Sequence, residues 1–167
     1  MQKIEGARSP RALGIRCEPN RLHYATLTHD GEQYVLETSS IHKYPGALPE
    51  ASMLSRLVQE VNDLVQHHKV DRVGIKSVEP SAGRLGMSAG LVRRIHSEGA
   101  ILAKLGELGV PAELLVSNTI KSRLDVMRPL KQYVNSPDFS SLPVLASVSN
   151  KTTREAILAG LAVIDAP

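Results

Sequence analysis

Charged side chains follow two short apolar runs of the sequence. Arg16 stands in the run GIRC and Lys76 in the run GIKS. Glu18 and Glu79 come a few residues later, and Glu155 lies in the distant run TTREAILAG. Carboxylates that met in space would hold magnesium or manganese, since hard cations take oxygen ligands, and such a site could cleave a phosphodiester. Arginine and lysine at the same place would instead bind phosphate or pair with the carboxylates.

The stretch GRLGMSAGLVRR is a second candidate for phosphate binding. Its backbone amides and Arg84, Arg93 and Arg94 would surround a phosphate at a helix amino terminus. The stretch matches neither the dinucleotide-binding pattern nor the P-loop pattern, and a flexible turn with solvated arginines is the more frequent explanation. In the basic carboxy-terminal third, the candidates for contacts to nucleic-acid phosphates are Lys121, Arg123, Arg128, Lys131, Lys151 and Arg154. Ordinary surface charge explains them equally well.

Composition limits the classes of protein that fit. A chain of 167 residues with 42% hydrophobic content predicts one domain, residues 12–167, after a mobile arm of residues 1–11. The net charge of +3 favours an anionic partner without establishing one. Aromatic residues make up 3% of the chain, which disfavours binding single strands by base stacking. No apolar run is long enough to span a membrane or resembles a signal peptide, so we expect a cytoplasmic protein.

The cysteine and the histidines show no sequence pattern of a metal site or a disulfide. Cys17 is the only cysteine, which excludes an intrachain disulfide and a cysteine-based metal site, and we expect it to pack as a small apolar residue. No histidine has a partner at a spacing typical of metal sites. The pattern therefore predicts capping or surface roles for the histidines, which include His23, His29, His67, His68 and His96.

Apolar patterning then predicts the elements that must position these residues. We expect three antiparallel strands at residues 12–17, 21–27 and 32–38, because Asp30-Gly31 is typical of a tight hairpin turn. Further strands are predicted over 70–78 and 113–117, and helices over 51–69, 92–108 and 151–164. A short helix should begin after 117, capped by Ser117, Asn118 or Thr119, and residues 129–150 should be mostly loop.

This order of elements is that of the ribonuclease H-like fold, an α/β fold with a mixed five-stranded sheet flanked by helices. The strand VDRV-IK, the turn after it and the segment TIK-L also resemble a small bacterial family of uncharacterised proteins, classed as a domain of unknown function, over about residues 12–164. More remotely, the chain resembles the RuvC-type Holliday junction resolvases.

The nuclease resemblance implies metal-binding acids in the first strand, at the end of the fourth strand and at the start of the last helix. Here Arg16 and Lys76 occupy the first two places, and Glu155 alone retains a carboxylate. Two cations in place of two anionic ligands would repel a divalent ion, so the resemblance argues against two-metal cleavage. A salt-bridged cluster that replaces the metals is an equally good interpretation.

We therefore expect a non-catalytic protein that binds DNA or RNA, or a protein partner in nucleic-acid transactions, and that needs no cofactor. One alternative is a nuclease that holds magnesium or manganese on a shifted set of acids, Glu18, Glu79 and Glu155. The other is a scaffold or oligomeric subunit that binds other proteins or copies of itself.

Overall fold

The computed structural model describes residues 8–80, 86–136 and 142–166. Its strands are β1 (Arg11–Glu18), β2 (Arg21–His29), β3 (Tyr34–Lys43), β4 (Arg72–Lys76) and β5 (Ala112–Leu115). They form one sheet in the order β3-β2-β1-β4-β5, with β1 to β3 antiparallel and β4 and β5 parallel to β1. The helices are α1 (Glu50–His68), α2 (Ala89–Glu107), α3 (Ser117–Arg123), α4 (Leu130–Asn135) and α5 (Lys151–Ile164), and a 3₁₀-helix spans Pro143–Ser147. The predicted mixed five-stranded sheet is confirmed.

Helices cover both faces of the sheet. On one face, α1 and α2 pack against Leu13, Ile15, Val73 and Ile75, which are fully buried. The opposite face carries α5, almost every residue of which is buried. Because successive side chains of a strand point to opposite faces, the alternate residues of β1 and β4, including the last charged ones, face α5. No helix in the described ranges is long and apolar enough to cross a lipid bilayer.

Helix α5 lies directly on the backbones of the two central strands. A Cβ atom added at Gly14 would lie 1.8 Å from the carbonyl oxygen of Ala156, and one at Gly74 would lie 2.1 Å from that of Ala159. Only glycine allows this approach. The two glycines therefore place the first turn of α5, which carries Glu155, over the carboxyl end of β1.

Local signals predicted most element boundaries well. The hairpin turn lies at Asp30-Gly31, where Gly31 has a φ of +97° and the Asp30 carboxylate accepts bonds from the amides of Glu32 and Gln33. Helix α5 matches its predicted range, and α1 differs by one residue at each end. Helix α2 begins three residues before the predicted start, because the Ser88 hydroxyl accepts a bond from the Leu91 amide and caps it.

The prediction that Ser117, Asn118 or Thr119 caps α3 is wrong. The capping position is Val116, which has no side-chain acceptor, and the free amide of Ser117 donates instead to the distant Glu79 carboxylate. Residues 129–150 also differ from the predicted loop, since they include α4 and the 3₁₀-helix. Leu130, Tyr133 and Val134 of α4 are buried in the core beside α5. A helix of six residues is too short to show a helical period in the sequence.

The carboxyl end of the predicted arm contacts the chain just before β4. Arg8 donates to the Asp71 carboxylate at 2.7 Å and to the carbonyl oxygen of Lys69, and the Arg11 amide donates to Asp71 at 2.8 Å. Residues 8–11 are therefore bound to the turn before β4. The rest of the predicted arm, residues 1–7, lies outside the described residues.

Candidate functional site

The candidate residues meet where β1 and β4 end. These strands are parallel neighbours, and Arg16 pairs with Lys76 in their register. His23 of β2 lies opposite Arg16 on the other side of β1. Residues paired across neighbouring strands point to the same face, so all three side chains face α5. Glu155 reaches them from the first turn of that helix.

Arg16 binds Glu155. Its Nε atom donates to the Glu155 carboxylate at 2.5 Å, and the two side chains are 17% and 27% exposed. A second guanidinium nitrogen donates to the carbonyl oxygen of Cys17. Arg16 is thus held in one orientation by a charged and a neutral acceptor, with its charge compensated by the acid of α5.

Lys76 binds Glu79, which lies three residues further along the chain. The Lys76 side chain is 4% exposed, and its ammonium lies 2.6 Å from the Glu79 carboxylate. The same carboxylate oxygen accepts from the amide of Ser117 at 2.9 Å and from its hydroxyl. Partial burial by itself would raise the pKa of Glu79, but the bonds from Lys76 and Ser117 outweigh it and lower the pKa. Glu79 is therefore an anion that neutralises a buried lysine.

Glu18 belongs to a separate buried chain of hydrogen bonds, which the sequence did not reveal. His23 is 1% exposed; its Nε2 atom lies 2.7 Å from the Glu18 carboxylate and its Nδ1 atom 3.0 Å from the Thr153 hydroxyl. Asn150 caps α5 by accepting from the Thr153 amide at 2.9 Å. The predicted surface role of His23 is wrong, because it links β1 and β2 to the capped end of α5. The alternation of RLHYATL, with His23, Ala25 and Leu27 on one face, was the available signal.

A second buried ion pair supports the site from α2. Arg94 donates to Glu98 at 2.8 Å and to the carbonyl oxygen of Lys76 at 3.1 Å. Glu98, at 3% exposure, also accepts from the Ser77 hydroxyl at 2.8 Å and the Val78 amide at 3.3 Å. The pair thus holds the chain that leaves β4. Sequence reasoning overlooked Glu98, although its spacing of four from Arg94 is the spacing of helical ion pairs.

Cys17 packs among apolar residues, as predicted. It is fully buried in the core cluster beneath α1 and α2. Burial, followed by the negative charge of Glu98, raises the pKa of its thiol to about 12, against the opposing charges of Arg94 and Arg16. The thiol is therefore neutral and unreactive near neutral pH.

Several predicted phosphate contacts lie elsewhere. Arg154 is 8% exposed, and its guanidinium donates to the carbonyl oxygens of Val148 and Val134, so it ties α4 and the 3₁₀-helix to α5. Arg123 forms a two-pronged pair with Glu113 at the opposite end of β5. Each of these two arginines lies on a face of its helix that points away from the ends of β1 and β4. Arg93 and Lys121 are partly exposed and do not line the site, and Arg84 falls outside the described residues.

The site opens into a cleft of about 430 Å³ between the strand ends, α4 and α5. Its cations are Arg16, Lys76, Arg94, Lys131 and Lys151, and its acids are Glu79 and Glu155. Three of the five cations are each paired with an acid, since Arg94 binds Glu98 on its own helix, so a formal excess of two positive charges remains on Lys131 and Lys151. Lys131 and Lys151 are exposed at the rim and form no ion pair within the described part of the chain. The cleft can therefore attract an anion.

The donor set does not fit a divalent metal ion. The three acids of the predicted shifted site bind three different partners: His23 for Glu18, Lys76 for Glu79 and Arg16 for Glu155. Across residues 8–80, 86–136 and 142–166, no three histidine, cysteine, aspartate or glutamate side chains are placed to share an ion. One oxygen of each carboxylate already accepts a hydrogen bond from its own partner, so the three acids are oriented toward three separate groups and not toward one ion.

The fold resembles the solved structures of RuvC and of a mitochondrial Holliday junction resolvase. Thermus thermophilus RuvC superposes with a TM-score of 0.69 at 15% identity, over 91% of this chain and 92% of that chain. T. thermophilus RuvC in complex with Holliday junction substrate gives 0.67 at 13% identity, over 92% and 91%. The yeast mitochondrial Holliday junction resolvase gives 0.57 at 12% identity, over 93% and 78%. This likeness shows a ribonuclease H-like fold, as predicted.

No protein-family model and no curated protein matches the sequence. The predicted resemblance to the uncharacterised bacterial family is therefore not confirmed, whereas the structural likeness to RuvC is.

Proposed function

We propose that this chain is a non-catalytic nucleic-acid-binding protein that holds phosphates in the cleft at the ends of β1 and β4. The observation that carries the proposal is the charge of that cleft, where Arg16 and Lys76 stand at the strand ends. Cations of this kind bind phosphate oxygens through charge-assisted hydrogen bonds. The complex of T. thermophilus RuvC with a Holliday junction substrate supports nucleic acid as the partner class for this fold.

The rim lysines make the first contacts in this proposal. Lys131 on α4 and Lys151 at the start of α5 are exposed on two sides of the cleft. Their ammonium groups can reach phosphates without first breaking an ion pair to any acid in the described part of the chain. Such contacts release counterions and make the affinity depend on salt.

The lack of cleavage follows from the paired acids. A metal ion or a water molecule activated by Glu155 would have to displace the Arg16 guanidinium, and at Glu79 it would have to displace Lys76. Each displacement would leave a largely buried cation without its partner, which is costly. We therefore propose that the two acids neutralise Arg16 and Lys76 and do not bind a metal ion.

We expect the double variant Lys131→Glu/Lys151→Glu to bind duplex or four-way junction DNA at least tenfold more weakly than the wild type. The slope of log K against log salt should fall by about two, since two phosphate contacts are lost. Fluorescence anisotropy over a salt series measures both quantities, with RNA of the same sequence as a second ligand.

The matched control is Lys69→Glu/Lys104→Glu. Lys69 follows α1 just before β4 begins, and Lys104 is in the last turn of α2 before β5. Both therefore lie near the amino ends of these strands, whereas the cleft lies at their carboxyl ends. Equal weakening by the control would contradict the cleft as the binding site. Cleavage that needs Mg²⁺ or Mn²⁺ and is abolished by Glu155→Gln would establish the nuclease instead. A stable assembly with no nucleic-acid binding would favour the scaffold.

A further inference from the structure

The two innermost cations of the cleft already hold anions that belong to the protein. The Glu155 carboxylate lies 2.5 Å from Nε of Arg16, and the Glu79 carboxylate lies 2.6 Å from Nζ of Lys76. These are the distances of charge-assisted hydrogen bonds, and a phosphate oxygen would occupy the same places. Any ligand phosphate that reaches the bottom of the cleft must therefore compete with a carboxylate.

Because the protein's own carboxylates compete with ligand phosphates, a ligand binds only if it gains additional contacts elsewhere in the cleft. A single phosphate that displaces Glu155 exchanges one charge-assisted bond for another and gains little. A ligand with several phosphates gains in addition from Lys131 and Lys151, which are paired with no carboxylate among residues 8–80, 86–136 and 142–166. The net gain thus comes from the rim, and only a ligand that spans from the rim to the bottom obtains it.

From this we infer that Glu79 and Glu155 are specificity-determining residues, which reject an isolated phosphate and admit only a polyanion that spans the cleft. The inference takes its ligand class from the proposed function. It assigns to the two acids a role that neither a metal site nor a purely structural ion pair would have. Removal of an acid should increase the affinity for phosphate.

The two carboxylates are exposed enough to move into solvent when a phosphate displaces them. The Glu79 side chain is 51% exposed and that of Glu155 is 27% exposed, so each carboxylate can turn into water and stay hydrated. On turning away, Glu79 would also release the amide and hydroxyl of Ser117, which can then donate to the phosphate. Their cations are far less exposed, at 4% for Lys76 and 17% for Arg16. The acids are therefore the replaceable partners, and the cations are the permanent part of the site.

Titration with inorganic phosphate, followed by amide chemical shifts in the full chain, tests the inference. We expect Glu155→Gln to bind phosphate at least tenfold more tightly than the wild type, the effect of one charge-assisted hydrogen bond. Adding Arg16→Gln to that variant should remove the gain. The control is Glu113→Gln, which frees Arg123 from an equivalent pair outside the cleft and should leave the chemical shifts of the cleft amides unchanged.

Equal phosphate affinity in the wild type and Glu155→Gln, with both folded by circular dichroism, would overturn the inference. Glu79→Gln repeats the test on the second pair, so misfolding of one variant does not remove the comparison. Wild-type binding of DNA without any gain in Glu155→Gln would contradict the inference alone. A gain in phosphate affinity without binding of any nucleic acid by the wild type would support the competition and contradict the proposed function.

Discussion

Alanine at Gly14 is expected to lower the free energy of unfolding by about 3 kcal/mol or more. The new Cβ atom would lie 1.8 Å from the carbonyl oxygen of Ala156 and 2.8 Å from the amide nitrogen of Gly160. Both neighbours are backbone atoms of α5, which cannot turn aside as a flexible side chain would. The helix must therefore move away from β1 as a body, and Glu155 would lose its position beside Arg16.

Urea denaturation of Gly14→Ala measures this effect, and Gly99→Ala is its control. Gly99 lies inside α2 with nothing within 4 Å of its added Cβ, so alanine there should stabilise the protein by about 0.5 to 1 kcal/mol. The two variants make the same chemical change with opposite expected signs. A Gly14→Ala protein as stable as the wild type would show that α5 does not pack on β1 in this way.

Replacement of Glu98 by glutamine is expected to cost about 3 to 5 kcal/mol, the range for breaking a buried ion pair by removing one partner. Arg94 would keep its charge at 13% side-chain exposure without its acid, and the Ser77 hydroxyl would lose a charged acceptor. The chain that leaves β4 would then be less firmly held. The amide of Val78, which donates to Glu98, should exchange its hydrogen faster than in the wild type.

Glu107→Gln, on the same helix, provides the comparison. Glu107 pairs with Lys104 but is 70% exposed, and exposed pairs contribute about 0 to 1 kcal/mol. Thermal and chemical denaturation should therefore separate the two glutamines clearly. Similar losses of stability in both variants would mean that the Arg94–Glu98 pair is not buried as the structure shows.

The elements of the fold could be predicted because their signals are local. The apolar stripe of α1, the Asp30-Gly31 turn and the apolar run of β4 each depend on residues close together in the chain. Helix α4 was not predicted because six residues are too few to show the helical period of apolar residues. The α3 cap was wrongly assigned because Ser117 bonds to Glu79, a residue 38 positions away.

Most of the charged residues of the site could also be predicted. Arg16, Lys76, Glu79 and Glu155 were singled out from their types and positions, with Arg94 and Lys151 as candidate phosphate contacts, and the structure brings all six into one cleft. Which acid pairs with which cation was not predicted. His23 was wrongly expected at the surface, and the buried Glu98 was overlooked. Arg154 was assigned to the surface because its charge gave no sign that backbone carbonyl oxygens would accept its bonds.

The sequence by itself determined that two cations, Arg16 and Lys76, stand at the ends of neighbouring strands. It could do so because the position of a strand and the types of its residues both follow from local sequence. Only the tertiary structure decided which acid meets which cation, through the packing of α5 on Gly14 and Gly74 and the turn of the chain after β4. The physical reason is distance. Arg16 and Glu155 are 139 residues apart, and only the tight approach of helix to strand brings their charges within hydrogen-bonding range.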